Sequence, residues 1–249
     1  MRIHTVRPGA DGSPPLWIMK QSWEQLLFLH WPVAASSLRK LIPEPLTVDT
    51  FAGQAWIGIV AFRMNRIRLK GCPIPYPFAF PEINVRTYVT HPRGPGVYFI
   101  SLDASDRLVL NMAKWWYSLP YHKADMRFRQ REEHIVLSSH RPGASSGSPA
   151  LFSAKYRPLS RPYLATPGTI EHWLTERYLF YCFHKLKQTM YCGEVCHPPW
   201  MLCQAEVELS KNTMTGPLGM ALPESPEFMH YSRGVEARLS TISPLSSLD

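Results

Sequence analysis

Glu82-Ile83-Asn84-Val85-Arg86-Thr87-Tyr88-Val89 alternates in the manner of a β-strand. Ile83, Val85, Thr87 and Val89 fall on one face, and Glu82, Asn84, Arg86 and Tyr88 on the other. The second face carries an acid, an amide, a guanidinium and a phenol, each able to make directed hydrogen bonds. Facing the inside of a curved sheet, it is the wall of a polar pocket. Facing water, it is a decorated surface. The alternation leaves both readings open.

The rest of the chain favours a strand-rich setting for this segment. The 249 residues suit one large β-rich domain or two small ones. There are 24 prolines, about double the usual share. Many of them punctuate β-like runs, which argues against a helix bundle. Abundant aromatic residues provide surface to bury against the entropy of ordering. The net charge is +8, but the basic residues are scattered. Arg63, Arg66, Arg68 and Lys70, and likewise Arg127 to Arg131, have the spacing of solvated strand faces. Neither has the pattern of a nucleic-acid motif, so no nucleic-acid partner is expected. Five cysteines and the lack of an apolar leader in Met1 to Lys20 are read as a cytoplasmic protein with reduced thiols. No run reaches membrane-spanning length, so no membrane partner is expected.

Residues 1–19 are expected to form a flexible arm. The apolar run Leu26 to Trp31, ended by Pro32, is expected to be a buried strand, with His30 and Trp31 in the core or at a cavity floor. Ser36 and Ser37 can cap a short helix through Leu41. Leu46 to Phe51 and Ala55 to Phe62 read as a strand pair about a turn at Ala52-Gly53. The proline-rich stretch from Leu69 to Pro81 is a long loop running into the Glu82 strand, a length often tied to function. Val97 to Leu102 pairs back as a strand, and Asp106 can cap a helix from Arg107 to about Tyr117. Strands follow near Met126–Arg131, Ile135–Ser139 and Leu151–Arg157, with a flexible connection from Pro142 to Pro149. Thr169 can cap a helix through Arg177, and Tyr178–His184 and Met201–Leu209 close the series. Residues 211–249, rich in Ser, Pro and Gly, are expected to be a disordered tail.

Taken in order, several motifs form a recognisable pattern. They are Phe28-Leu29-His30-Trp31-Pro32, Leu41-Ile42-Pro43, Gly53-Gln54-Ala55-Trp56, the Glu82 strand, Gly96 to Ala104, Leu119-Pro120-Tyr121-His122-Lys123-Ala124, Leu174 to Tyr178 and Pro198-Pro199-Trp200. The chain resembles the uncharacterised bacterial DUF2071 family, also called YqjF-like, over about residues 20–210. That family is similar in fold to acetoacetate decarboxylase. The resemblance implies an α+β, β-rich fold. Its strongly curved, mostly antiparallel sheet or closed barrel would surround an internal cavity, with few peripheral helices. It also implies that Glu82, Asn84, Arg86 and Tyr88 face inward. Acetoacetate decarboxylases use a lysine that forms a Schiff base with a β-keto acid, within a Pro-Lys-Lys motif. Here the comparable residues are Pro120, Tyr121 and His122, with Lys123 displaced by one or two places. A one-residue slip on a strand turns a side chain to the opposite face. The resemblance therefore implies the cavity without the Schiff-base lysine.

Tyr121, His122 and Glu82 are the candidate acid and base groups. Asn84, Arg86, Tyr88, Ser101, Asp103, Lys123 and Arg177 are the candidate ligand-binding residues. Arg86, with Arg107 or Arg177, can clamp a carboxylate; alternatively it pairs with Glu82. Tyr121 and His122 can equally be a packed ring and an edge histidine. Ser101 and Asp103 share a strand face with Phe99 and extend the cavity wall, or else Asp103 caps a turn. Glu176, Arg177 and Tyr178 read as structural ion pairing at the end of a helix. Cys192, Cys196, His197 and Cys203 do not have the spacing of a known zinc site, and neither metal nor cofactor is expected. The expected partner is a small organic acid or carbonyl compound. The alternative is a non-catalytic sensor or interaction module with a filled cavity.

Overall fold

The computed structural model describes residues 17–106, 119–143, 148–184 and 187–245. The expected helix from Arg107, and Arg107 itself, lie outside these residues, as does most of the expected N-terminal arm. The chain runs as β1 (Trp17–Val33), α1 (Ala35–Arg39), β2 (Thr47–Val48), β3 (Ala55–Leu69), β4 (Phe80–Thr90) and β5 (Gly96–Ala104). Next come β6 (Tyr121–Lys123), β7 (Asp125–Arg131), β8 (His134–Arg141), β9 (Ala150–Pro158), β10 (Tyr163–Leu164) and α2 (Ile170–Thr175). The remainder is β11 (Leu179–His184), β12 (Thr189–Cys196), β13 (Met201–Asn212), β14 (Phe228–Ser240) and β15 (Ser243–Pro244).

The strands form one curved 15-stranded sheet whose main path is β15-β12-β11-β5-β4-β3-β1-β14-β13-β9-β8-β7, with β10, β2 and β6 paired off it to β13, β4 and β5. It is mostly antiparallel, with β5 parallel to both β6 and β11. An additional pairing of β12, with β14 through Val195↔Leu239 and Cys196↔Arg238, joins the two flanks into a ring of strands. The strand-rich, mostly antiparallel expectation is what the chain adopts.

Sharp bending closes the ring. On β1 the register shifts between Glu24 and Leu27, around Gln25 at φ 55°. Directly beside this bulge, Gly234 of β14 has φ +139°, and a Cβ there would lie 2.2 Å from the Trp23 carbonyl oxygen. Only glycine lets the two backbones approach and turn together at that point.

Both faces of the central strands are buried, in two separate clusters. Outward, Leu27, Leu29, Ile57, Ile59, Ile83 and Val85 pack against Met126, Leu137, Phe152 and Tyr156 of the β7–β9 leaf. Inward, Leu26, Phe28, Val60, Phe62, Met64 and Leu102 meet Phe180, Trp200 and Leu239. This double burial is why Leu26 to Trp31 reads as a continuous apolar run instead of an alternation.

Several elements differ from expectation. β14 lies within the supposed tail, yet it pairs along β1 from Trp17↔Ser240 to His30↔Phe228 and also with β13. Its inner face carries His230 and Ser232, and Gly234 follows, so the apolar alternation of a central strand is missing. β12 was not foreseen: Cys192, Gly193 and Cys196 interrupt the apolar alternation of a strand there. β2 pairs with β4, not with β3. The N-cap of α1 is Ala34, which has no side-chain hydrogen bond to give, so Ser36 and Ser37 lie inside the helix. The Thr169 cap forms as expected, its Oγ1 accepting from the His172 N–H.

Candidate functional site

The ring encloses a cavity of about 300 Å³. One wall is the polar face of β4, where Glu82, Asn84 and Arg86 project inward at alternate positions. Their cross-strand partners on β3 are Phe62, Val60 and Gly58. Tyr121 enters from β6, which lies alongside β5, and donates its hydroxyl to Glu82 Oε2 at 2.9 Å. Tyr88 stands one position deeper than Arg86 and is fully buried.

Burial pushes the Glu82 carboxyl up to about 8. The Tyr121 hydrogen bond opposes the rise and the nearby Asp103 adds to it. Glu82 is therefore mostly protonated at neutral pH, a carboxylic acid with a proton to donate.

Arg86 is a half-buried cation on the cavity wall. Its Nη2 donates to the Leu174 carbonyl at 3.3 Å, and its guanidinium lies 5.9 Å from both the Phe28 and Tyr88 rings. Its Nε–H has no protein acceptor, and it makes no ion pair with Glu82 or any other described carboxylate. The Oδ1 of Asn84 is likewise buried without a protein donor.

Helix α2 closes the deep end. Its Leu174 carbonyl also accepts from Tyr88 Oη at 2.9 Å, and its Thr175 carbonyl accepts from Trp200 Nε1 at 3.1 Å. Arg177 is held elsewhere: it pairs with Asp49 at 2.8 Å and stacks on Trp173 at 4.3 Å. Beneath Arg86, His30 lies over Gly58, where a Cβ would come within 3.1 Å of the imidazole. His30 and His230 are both buried with neither ring nitrogen bonded to protein. Burial holds both imidazoles below their ordinary range, and Arg86 reinforces this at His30.

Of the expected site residues, Glu82, Asn84, Arg86 and Tyr121 converge on the cavity. Tyr88 and Arg177 belong to its sealed floor. His122 and Lys123 are exposed on β6 and are not among the cavity-lining residues. The period of two explains this for His122: with Tyr121 inward, its neighbour turns out. Ser101 and Asp103 are corrected as well. A bulge at Ile100 places Phe99 opposite Arg86, and sends Ser101 and Asp103 to the outer face beside Val85 and Ile83. There Asp103 meets Arg141 of β8 at 3.1 Å. Gln21, Tyr76 and Trp200 line the cavity and were not foreseen. Of these, only Trp200 lay in a quoted motif.

Comparison with known proteins now fits this geometry. The DUF2071 family model, described as an uncharacterized conserved protein, matches residues 20–236, and the chain belongs to that family. Among its relatives, the chain is 43% identical over 219 residues to the uncharacterized protein YqjF of Bacillus subtilis (strain 168), covering 88% of each. Among solved structures, the enduracididine biosynthesis enzyme MppR complexed with pyruvate is similar, with a TM-score of 0.63 and 12% identity over 95% of this chain and 93% of that one. An acetoacetate decarboxylase has a TM-score of 0.61 and 12% identity, over 96% and 94%. An acetoacetate decarboxylase-like enzyme from Sphingomonas wittichii RW1 has a TM-score of 0.60 and 11% identity, over 96% and 97%. At these identities the likeness is one of fold. Among the described residues, no helix is long and apolar enough to cross a membrane.

Proposed function

We propose that the cavity binds an organic acid bearing a carbonyl group, and that Glu82 and Tyr121 carry out acid/base chemistry on it. The observation that carries this reading is Arg86: a half-buried guanidinium lining a cavity, with a buried Nε–H that has no protein acceptor and no carboxylate partner among the described residues. A half-buried cation beside an apolar cavity is stabilised by a counter-charge, and a ligand carboxylate supplies one in bidentate form. The protonated Glu82 then faces the rest of the ligand. Donation of its proton to a carbonyl oxygen leaves a carboxylate, and the Tyr121 hydroxyl is already positioned to stabilise that carboxylate. Tyr121 stands where the decarboxylase motif has its lysine, so this chemistry differs from Schiff-base decarboxylation. The pyruvate complex of MppR supports an oxo acid as the ligand class. The cytoplasm, where the free cysteines stay reduced, is the compartment that suits this reading.

The test is calorimetric titration with pyruvate and acetoacetate at pH 7, on the wild type and on Arg86→Gln. Binding to the wild type and at least tenfold weaker binding to the variant are expected. Equal affinity for the two proteins would remove Arg86 from the site. In parallel, borohydride treatment with acetoacetate is expected to leave the protein mass unchanged; an adduct on Lys123 would sink the acid/base reading.

A further inference from the structure

Polar groups occupy only a narrow part of the cavity surface. Besides the β4 stripe and Tyr121, the lining is dominated by large apolar side chains, among them Met19, Phe62, Ile67, Ile74, Leu119 and Leu239. The two kinds of surface are also arranged along an axis. Arg86 sits at the deep end against Leu174, Phe28 and Tyr88. Glu82 lies four residues nearer the start of β4, about 13 Å along the strand by backbone rise. The segment after β3 returns across this outer end. It is tied down by Tyr76 N–H to the Ile67 carbonyl at 2.7 Å and by Tyr76 Oη to Asp106 at 2.7 Å. Its Ile74 lines the cavity while remaining 74% exposed, so apolar surface continues from the interior out to the rim.

The space is also larger than a minimal acid requires. About 300 Å³ equals the share of roughly ten waters in the liquid, and pyruvate or acetoacetate fills only part of that. The remainder is walled by methyl groups and aromatic rings, which hold water poorly.

We propose that the ligand of this cavity is an oxo acid with an apolar tail: carboxylate at Arg86, and the tail running outward past Glu82 between Met19, Ile67 and Ile74. This rests on the carboxylate reading of Arg86 and adds the chemical class of the remainder of the molecule. Each methylene taken from water into such a wall tightens binding by about fourfold, until the space is filled.

The experiment is calorimetric titration of the full chain at pH 7 with straight-chain 2-oxo acids from pyruvate to 2-oxodecanoate, with alkan-1-ols of matching length as controls. The expected result is affinity rising about fourfold per methylene over the shorter members and then levelling, with the alcohols at least tenfold weaker. Ile74→Glu, at an exposed rim position, is expected to weaken the longer acids and leave pyruvate unchanged. Pyruvate binding with no gain along the series would overturn the apolar tail and leave the carboxylate reading standing. Alcohols binding as tightly as the acids would overturn the acid head while keeping the apolar wall. No binding by any member overturns both.

Discussion

Glu82 and Asp103 stand on the adjacent strands β4 and β5, both carboxyls are buried, and burial raises both, to about 8 and about 6. Their surroundings divide them. Glu82 faces the cavity, with a phenol as its partner. Asp103 faces the packed layer between the ring and the β7–β9 leaf, with a guanidinium as its partner. On the inner face, among the described residues, a cation without a carboxylate and a carboxyl without a cation share one open space. On the outer face the two charges are already paired. A charge partner supplied from within the protein marks structure here, and one left unsupplied beside a cavity marks a site.

The largest effect that would test this contrast comes from the outer face. Arg141→Met leaves Asp103 buried without its cation, and a loss of about 3–5 kcal/mol is expected at pH 8. The Asp103 carboxyl titrates above its ordinary value, so its contribution is full at low pH and falls as pH rises through about 6. The penalty of Arg141→Met should therefore be markedly smaller at pH 4.5, and adding Asp103→Asn should recover most of it. Urea unfolding at the two pH values is the measurement. An equal loss at both would mean that Arg141 acts through packing alone.

A smaller effect, of opposite sign, is expected on the inner face. Glu82 is raised from 4.5 to about 8, so its neutral form favours the folded state below 4.5, and that advantage is lost as pH rises through about 8. Glu82→Gln fixes the neutral shape. The variant should match the wild type near pH 4.5 and exceed it by about 2–4 kcal/mol at pH 9, some solvation through the cavity being allowed for. It should also lose any acid/base activity, the usual exchange of stability against function. A stability difference that stays constant from pH 4.5 to 9 would show that folding does not raise the Glu82 carboxyl.

The same contrast explains what was legible in the sequence. The alternation from Glu82 to Val89 was plain, since one face is polar and the other aliphatic. Which face turns inward was not, because both faces are buried. Tyr121 was found through its place after Pro120, yet His122 was counted with it, although neighbouring residues on a strand point apart, and Lys123, at the last position of β6, is exposed as well. Ser101 and Asp103 were misplaced by a single bulged residue, Ile100, which leaves no mark in local composition. β14 escaped notice because His230 and Ser232 occupy its buried inner positions. Polarity that normally signals solvent was here facing the deep end of the site. The strand's own composition therefore argued for disorder, and only its neighbours reveal it as central.

The smallest effect is the most direct reading of the inner pair. Tyr121→Phe removes one hydrogen bond to Glu82, at a cost of about 1 kcal/mol where Glu82 is ionised. That bond favours the carboxylate form, so its loss should move the Glu82 titration upward from about 8. Asp103, on the opposite face and paired with Arg141, should continue to titrate near 6. Carbon-13 chemical shifts of the two carboxyl groups, followed from pH 4 to 10 in the folded protein, separate the cases. If both titrations move together, the two faces form one electrostatic unit and the distinction between site and structure fails. If Glu82 alone moves, Tyr121 sets the proton affinity of the group proposed to donate to the ligand, which is the role a phenol in the lysine position would have to play.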